Sequence, residues 1–228
     1  MSPRPTGLAP KHYTSDMDMT RLIAIRHGET AWNVDTRIQG QLDIGLNERG
    51  QWQARQAARA LAEEPIHAIY SSDLSRAFDT ARAIGEVAGI TPIPHLGLRE
   101  RAFGVFEGRT WTEIEAQWPQ DALRWRQREP DWAPAAGETL DQVRARVSSA
   151  THELASRHPG QLIVLVAHGG VMDALYRLAT QQDLQAPRTW SLGNAAINRL
   201  LWSPQGLSLV GWGDERHLEA SSLDETST

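Results

Sequence analysis

Residues 162–170 have the sequence LIVLVAHGG, an unbroken apolar run that ends in a histidine and two glycines. Such a run is typical of a strand buried on both faces, because helices cover both faces of a parallel sheet. Further apolar runs of strand length lie at residues 22–25, 66–70, 197–202 and 207–212, and segments of helical periodicity separate most of them. This alternation predicts an α/β fold, a three-layer α/β/α sandwich with a mainly parallel central sheet.

Two helices are predicted in the first half of the chain. One begins after Asn47. The other lies within residues 72–89, where apolar residues recur every three or four positions. Ser72 or Asp73 can cap the start of this second helix, and Gly89 can end it.

Two more helices are predicted in the second half. Thr139 and Gln142 have the spacing of a capping box, which predicts a helix start at this point. The last helix is expected to begin at Gly169 or Gly170, directly after the apolar run. Each helix would return the chain to the sheet for the next strand.

Residues 107–136 are predicted to form a small helical cap insertion. Pro119 and Pro130 interrupt any continuous helix in this segment, so short helices are expected. Aromatic residues with a regular spacing more often pack against each other than bind a ligand. Four tryptophans occur here at every seventh position: Trp111, Trp118, Trp125 and Trp132.

The two ends of the chain are polar and without periodicity. Residues 1–19 contain three prolines and no continuous apolar segment, which predicts a disordered leader and excludes a signal-peptide pattern. Translation could also start at Met17 or Met19. Residues 214–228 are predicted to be a disordered tail, so the folded domain is expected over residues 20–213.

The composition narrows the classes of partner and site. With 28 acidic and 23 basic residues, the net charge of -5 provides no overall positive field for nucleic acid or an anionic membrane surface. The chain has no cysteine, which excludes disulfides, thiolate nucleophiles and cysteine-ligated metals. No HExxH-type spacing is present, so neither a metal nor a cofactor is expected. A cytoplasmic location is the expectation.

Two apolar runs end in the same dipeptide. Residues 22–28 end in His27 and Gly28, as the later run ends in His168 and Gly169. A single histidine at a strand end more often has a structural role. Because the carboxyl ends of parallel strands share one edge of a sheet, however, both imidazoles can face one pocket.

Arginines accompany these histidines. Arg26 directly precedes His27, and Arg76 lies in the first turn of the helix predicted within residues 72–89. An arginine at such a position is often only a solvated surface residue. Burying an unpaired guanidinium at the end of a buried strand, however, would cost folding free energy. Guanidinium groups bind phosphate oxygens in a bidentate manner. The four side chains together therefore indicate a site for a phosphate-like dianion.

Four segments resemble, in order, the signatures of the histidine phosphatase superfamily, the phosphoglycerate-mutase-like proteins. They are RHGET at residues 26–30, SSDLSRAFDTA at 71–81, LRERAFGVFEG at 98–108 and VAHGG at 166–170. The resemblance covers about residues 20–212 and favours the phosphatase branch. It implies a three-layer α/β/α fold and a phosphohistidine intermediate.

The resemblance also implies roles for individual residues. His27 corresponds to the nucleophile, Arg26 and Arg76 to the phosphate-binding arginines, and His168 to the second catalytic histidine. Glu100 corresponds to the acid that protonates the leaving group, although by spacing alone it could be a surface carboxylate. Residues expected to contact the substrate are Gly28, Thr30, Asn33 and Gly169.

The function that the resemblance implies is a metal-independent phosphatase of histidine acid phosphatase type, which hydrolyses small phosphomonoesters. The partner is then a small phosphorylated metabolite of unspecified identity, and the oligomeric state is open. The alternative is a 2,3-bisphosphoglycerate-dependent phosphoglycerate mutase, although the mutases that the chain resembles carry a longer insertion between Glu100 and His168. A third possibility is a non-catalytic module that binds phosphorylated ligands.

Overall fold

The computed structural model describes residues 19–219, which form one six-stranded sheet with helices on both faces. The strands are β1 (Thr20–Arg26), β2 (Ile66–Ser71), β3 (Ile93–Pro94), β4 (Leu162–Ala167), β5 (Ile197–Ser203) and β6 (Gly206–Asp214). The helices are α1 (Ala31–Val34), α2 (Glu48–Ala60), α3 (Ser75–Ala88), α4 (Trp111–Gln117), α5 (Pro119–Arg126), α6 (Leu140–Ala155), α7 (Gly169–Thr180) and α8 (Arg216–Glu219).

The strand order is β3-β2-β4-β1-β5-β6. Strands β1 to β4 pair in parallel, whereas β5 is antiparallel to β1 and β6 is antiparallel to β5. The predicted α/β fold with a mainly parallel sheet is confirmed. The parallel pairs bring the carboxyl ends of β1, β2 and β4 to the same edge of the sheet.

The central strand β4 is buried along its whole length. Its alternate residues pack on opposite sides: Ile163 and Leu165 belong to the core beneath α6 and α7, and Val164 and Val166 belong to the core beneath α2 and α3. Burying each such side chain contributes about 1.5–3 kcal/mol. The two cores explain why the run contains no polar residue.

The helix starts follow the predicted signals with one exception. Asn47 caps α2, and Thr139 forms a capping box with Gln142 at the start of α6. Gly89 ends α3 in the left-handed conformation, with φ of 70°.

The prediction that Ser72 or Asp73 caps α3 is wrong. The N-cap residue is Leu74, which has no side-chain capping bond. Asp73 instead forms an ion pair with Arg99, which holds its carboxylate away from the helix. Ser72 Oγ accepts a hydrogen bond from the amide of Leu74 itself, at 3.3 Å.

The tryptophans of the predicted cap segment pack together around α4 and α5. Trp132 is buried with Phe106 and Ile114. Trp111, Trp118 and Trp125 pack against this group while partly exposed. Pro119 occupies the first turn of α5, where proline is tolerated because its missing N–H has no helical partner. The prediction of a packing role for these aromatic residues agrees with this cluster.

Three short elements escaped the sequence analysis, namely α1, β3 and α8. The strand β3 has only two residues, which is too short to show a period. Within the segment predicted to be a tail from residue 214, Asp214 still belongs to β6 and α8 follows it. Residues 220–228, and residues 1–18 of the predicted leader, lie outside the described residues. None of the helices between residues 19 and 219 has the length and apolar character needed to cross a membrane.

Candidate active site

The two histidines that follow β1 and β4 lie side by side. Arg26 pairs with Ala167 at the last register position of the two strands, so His27 and His168 come next at the same sheet edge. Their ring centroids are 5.2 Å apart. His27 is 2% exposed and His168 is fully buried. The parallel register thus brings together two imidazoles that are far apart in the sequence.

The His27 ring is held in one orientation by its own backbone. Nδ1 lies 2.7 Å from the carbonyl oxygen of Gly28, which can only accept a hydrogen bond. Nδ1 therefore carries the proton, and Nε2 presents a lone pair. Burial lowers the pKa of His27 well below its usual value, and the charges of Arg26 and Arg76 lower it further. The ring is a neutral imidazole suited to nucleophilic attack.

The His168 ring has a different environment. Neither ring nitrogen has a hydrogen-bond partner within residues 19–219, although both are buried. Burial lowers its pKa well below the usual value, with further contributions from His27 and Arg76. An unsatisfied buried polar group costs about 1–3 kcal/mol. A ligand that accepts a hydrogen bond from this ring would remove that cost.

Two guanidinium groups with unused donors flank the histidines. The terminal nitrogens of Arg76 donate to the carbonyl oxygens of Leu42 and Gly40, at 2.9 and 2.7 Å. Arg26 donates through Nη1 to the carbonyl of Leu192. In both arginines Nε is buried without a partner in the described part of the chain. Burial lowers the pKa of both arginines, so an anion placed against them would be strongly stabilised.

The carboxylate of Glu100 contacts the first turn of α7, close to Arg26. Both carboxylate oxygens are 3.1 Å from the amide of Gly170, and Oε1 also accepts from the amide of Arg101 at 2.7 Å. A Cβ placed on Gly169 would be 3.8 Å from Glu100 Oε2 and 3.7 Å from Arg26 Nε. The carboxylate is thus adjacent to Arg26 at the edge of the proposed anion site.

A network missed by the sequence analysis holds the segment that carries Glu100. Arg146 of α6 donates to the carbonyl of Arg99 at 2.9 Å and forms an ion pair with Glu138 at 2.8 Å. Glu138 also accepts from the amide of Ala102 at 2.8 Å. These partners flank Glu100 on both sides. No short-range pattern signals them, because they lie about forty residues further along the chain.

Asn33 and Thr30 are coupled to each other at the start of α1. They form a reciprocal capping box, in which Asn33 Oδ1 accepts from both the amide and the hydroxyl of Thr30. Asn194, another residue missed by the sequence analysis, donates to the His27 carbonyl at 2.9 Å and to Asn33 Oδ1 at 3.4 Å. The substrate contact expected of Thr30 stays a prediction; its buried hydroxyl is hydrogen-bonded to Asn33.

Gly28 was also expected to contact substrate, and this stays a prediction. Its amide donates to Thr80 Oγ1 at 3.1 Å, so it is engaged within the protein. A Cβ at this position would be 2.3 Å from the carbonyl oxygen of Gly50 in α2. Close packing of the loop on α2 therefore requires the glycine. The space beside Gly169, by contrast, faces Arg26 and Glu100.

A cavity of about 450 Å³ opens next to this cluster. Arg26, Gly169 and Gly170 line it, and Phe103 and Trp125 contribute aromatic surface. One of the cap tryptophans therefore borders the cavity as well as packing in the cap. Among residues 19–219, no three His, Asp or Glu side chains converge as a metal-binding group.

The sequence model of the histidine phosphatase superfamily (branch 1) matches residues 22–215. The metal-independent phosphoserine phosphatase of Arabidopsis thaliana is 35% identical over 209 residues, covering 90% of this chain and 86% of that protein. A probable phosphoglycerate mutase, GpmB of Cronobacter sakazakii, is 34% identical over 215 residues, covering 91% and 99%. A mycobacterial glucosyl-3-phosphoglycerate phosphatase solved with VO3 superposes with a TM-score of 0.76 at 37% identity, covering 86% and 99%. The chain belongs to the histidine phosphatase superfamily, branch 1.

Proposed function

We propose that the protein is a phosphatase that hydrolyses small phosphomonoesters through a phosphohistidine on His27. One observation carries the proposal: two buried imidazoles lie 5.2 Å apart between two arginines whose buried Nε groups have no partner in the described part of the chain. This arrangement offers a neutral nucleophile together with donors for a dianion. The family membership supports it, as do the phosphatase names of relatives across most of the chain.

In the first half-reaction, Nε2 of His27 attacks phosphorus, and the bond from phosphorus to the ester oxygen breaks. The leaving oxygen takes a proton from the carboxylic acid form of Glu100 and departs as an alcohol. Arg26 and Arg76 bind the equatorial oxygens through Nε, and His168 donates a hydrogen bond to the same group. Positioning and charge stabilisation account for most of the catalysis in such a transfer.

In the second half-reaction, water attacks the phosphorus of the phosphohistidine. The carboxylate of Glu100 accepts a proton from this water, and the bond from phosphorus to Nε2 breaks. Orthophosphate leaves, and His27 returns to its neutral form with the proton still on Nδ1. The contact of Nδ1 with the Gly28 carbonyl keeps the same tautomer through both steps.

Rapid quenching tests this route. A short exposure to labelled phosphomonoester is expected to leave an acid-labile, base-stable label on His27. Chymotryptic peptide mapping of the quenched protein identifies the labelled residue, and a His27→Ala protein treated in parallel is the control. A label on serine or aspartate, or full turnover by the control, would contradict the mechanism.

The mutase remains the second candidate, because GpmB matches this chain over 99% of its own length. A mutase shares the first half-reaction, but a bound phosphorylated acid replaces water as the acceptor. Assays with and without 2,3-bisphosphoglycerate separate the two functions. We expect phosphate release to exceed the interconversion of 2- and 3-phosphoglycerate under both conditions. A primer-dependent interconversion rate far above hydrolysis would reverse the assignment.

Metal independence and a cytoplasmic location remain predictions. Hydrolysis is expected to persist after dialysis against a chelator, because the proposed steps use only protein side chains. Vanadate is expected to inhibit at low concentration, since it resembles the crowded phosphoryl transition state. Loss of activity in chelator that a divalent metal restores would contradict the first prediction, and fractionation of cells tests the second.

A further inference from the structure

The cavity beside the candidate active site carries an excess of positive charge. Its walls include four arginines and, among the described residues, a single acidic side chain, Asp173. The four are Arg26, Arg101, Arg128 and Arg188. Arg26 belongs to the proposed phosphoryl site, which leaves three further guanidinium groups on the cavity wall. A phosphate dianion bound at His27 therefore does not account for them.

The one acid of the cavity wall is already engaged. Asp173 Oδ2 accepts from Arg128 Nη2 at 2.8 Å and from Arg177 Nε at 3.0 Å. One carboxylate is thus shared between two guanidinium groups. No carboxylate between residues 19 and 219 is in hydrogen-bond contact with Arg101, whose Nε donates to the carbonyl of Glu138 at 2.8 Å. Burial lowers the pKa of Arg101 to about 10, which shows how poorly its charge is solvated.

Arg188 is the least constrained of these arginines. It lies in the loop between α7 and β5, is exposed, and forms no hydrogen bond or ion pair with any residue between 19 and 219. Burial is the main cause of the lowered pKa of Arg26 and of Arg128, and the charge of Arg188 lowers both further. Arg188 is therefore a cation held near two other cations, with its donors free for a ligand.

The remaining residues of the cavity wall are apolar and offer a surface for the hydrocarbon part of a substrate. Phe103 and Trp125 stack with ring centroids 5.0 Å apart, and Leu140, Val143 and Leu192 add aliphatic surface. The cavity thus combines the phosphoryl site at Arg26 and Gly169 with an apolar wall and the exposed guanidinium of Arg188. Sites that bind small molecules typically combine apolar walls with a few placed polar groups in this way.

We propose that the cavity binds a second anionic group of the substrate, a carboxylate or a second phosphate, and that Arg188 recognises this group. The inference rests on the proposed function, because the phosphoryl group must lie at His27 for the rest of the substrate to enter the cavity. The substrates are then phosphorylated acids or bisphosphates. A guanidinium forms two parallel hydrogen bonds with either kind of group.

Two pairs of substrates test the proposal. Phosphoserine and phosphoethanolamine differ by one carboxylate, and fructose 1,6-bisphosphate and fructose 6-phosphate differ by one phosphate. The ratio of kcat/KM within each pair is measured for the unchanged protein, for Arg188→Gln and for Arg59→Gln. Arg59 is the matched control, because it is an exposed arginine in the last turn of α2 and does not line the cavity. Errors in active-enzyme concentration cancel in each ratio.

The unchanged protein is expected to prefer the more anionic member of at least one pair by about tenfold or more, as one charge-assisted hydrogen bond provides. Arg188→Gln is expected to lower that ratio about tenfold, mainly through KM, whereas Arg59→Gln leaves it unchanged. The preference is also expected to shrink with added salt, because Arg188 is exposed. The pair that responds identifies the second group as carboxylate or phosphate.

If all four esters are hydrolysed without preference, the inference about Arg188 is overturned, whereas the proposed phosphatase function stands. The inference is also overturned by a preference that Arg188→Gln leaves intact, or by one that Arg59→Gln lowers equally. If the unchanged protein releases no phosphate from any of the four esters or from 4-nitrophenyl phosphate, the proposed function fails and the inference fails with it. The two failures are therefore distinguishable.

Discussion

The chain contains two histidine-glycine junctions that use the same dipeptide differently. At the first junction (residues 26–28), the His27 ring is fixed by the carbonyl of Gly28, and Gly28 packs against α2. At the second junction (residues 167–170), the His168 ring has no partner within residues 19–219, and Gly169 opens towards Arg26. The His27 ring, which its own backbone orients, is suited to attack phosphorus. The His168 ring, whose nitrogens are unused by residues 19–219, is suited to bind the phosphoryl group of the substrate.

The largest expected effect separates the two histidines. His27→Asn is expected to lower kcat/KM for 4-nitrophenyl phosphate by about 10⁴-fold or more, because the nucleophile is lost. His168→Asn is expected to cost about 10²- to 10³-fold, the range for one group that stabilises the transition state. Circular dichroism of both variants controls for folding. Equal losses, or a larger loss at His168, would remove the difference between the junctions.

The second prediction concerns Glu100, which the amide of Gly170 ties to the second junction. Glu100→Gln keeps the shape but cannot supply an acidic proton. Alkyl phosphates are expected to lose about 10²-fold in the phosphorylation step, about 2.7 kcal/mol of barrier. Aryl esters such as 4-nitrophenyl phosphate leave as stabilised anions and are expected to lose much less.

Burst-phase kinetics isolates the first step, which matters because Glu100 also acts on water in the second step. Glu100→Asp, which keeps an acid on a shorter side chain, is the matched control and is expected to retain part of the alkyl activity. Equal first-step losses for alkyl and aryl esters in Glu100→Gln would refute the acid role. The carboxylate would then serve only the water step or the structure.

The third prediction contrasts the two glycines: a substitution at Gly28 is expected to lower stability, and one at Gly169 is expected to lower activity. Gly28→Ala is expected to destabilise the protein by about 1–3 kcal/mol, because its Cβ would lie 2.3 Å from the Gly50 carbonyl oxygen. Gly169→Ala is expected to change the free energy of unfolding by less than about 0.5 kcal/mol, since its nearest neighbour is 3.7 Å away. It should nevertheless lower kcat/KM, because the methyl group projects between Arg26 and Glu100.

Urea unfolding and steady-state kinetics on both glycine variants check this contrast. If Gly169→Ala proved the more destabilising change, or Gly28→Ala left stability intact, the packing role assigned to the first junction would be wrong. The two glycines, each of which follows a histidine, would then not differ in role.

The smallest effect is a pH dependence of stability. The pKa of His168 is well below its usual value in the folded protein, so below about pH 6.5 the unfolded chain binds a proton that the folded chain does not. The stability present above that pH is lost as the pH falls. One such histidine contributes up to about 1.4 kcal/mol per pH unit.

His168→Gln is therefore expected to flatten the pH dependence of the unfolding free energy between about pH 7.5 and 5.5, by about one proton. His67, which is exposed, provides the control variant His67→Gln. Urea titrations at several pH values measure the slopes. Identical slopes for the unchanged protein and His168→Gln would contradict the assignment of a buried neutral ring.

The sequence predicted those helices and strands that neighbouring residues along the chain are sufficient to specify. The run of β4 has the predicted bounds because both its faces are buried, and the capping box at Thr139 needs only the residue three positions later. The cap of α3 was mispredicted because Asp73 pairs with Arg99, a partner that no local pattern reveals. The two-residue strand β3 exists only because β2 lies beside it.

The sequence by itself determined the order of the strands along the chain, the histidine after each of two of them, and the charged residues available near them. Only the tertiary structure decided that β1 and β4 are neighbours, that His27 is held by Gly28, and that the guanidinium groups of one cavity outnumber its acids. The physical reason is that burial, and the loss of solvation that lowers the pKa of both histidines, depend on every layer packed around a site. Strand periodicity depends on neighbouring residues alone, whereas desolvation depends on the whole fold.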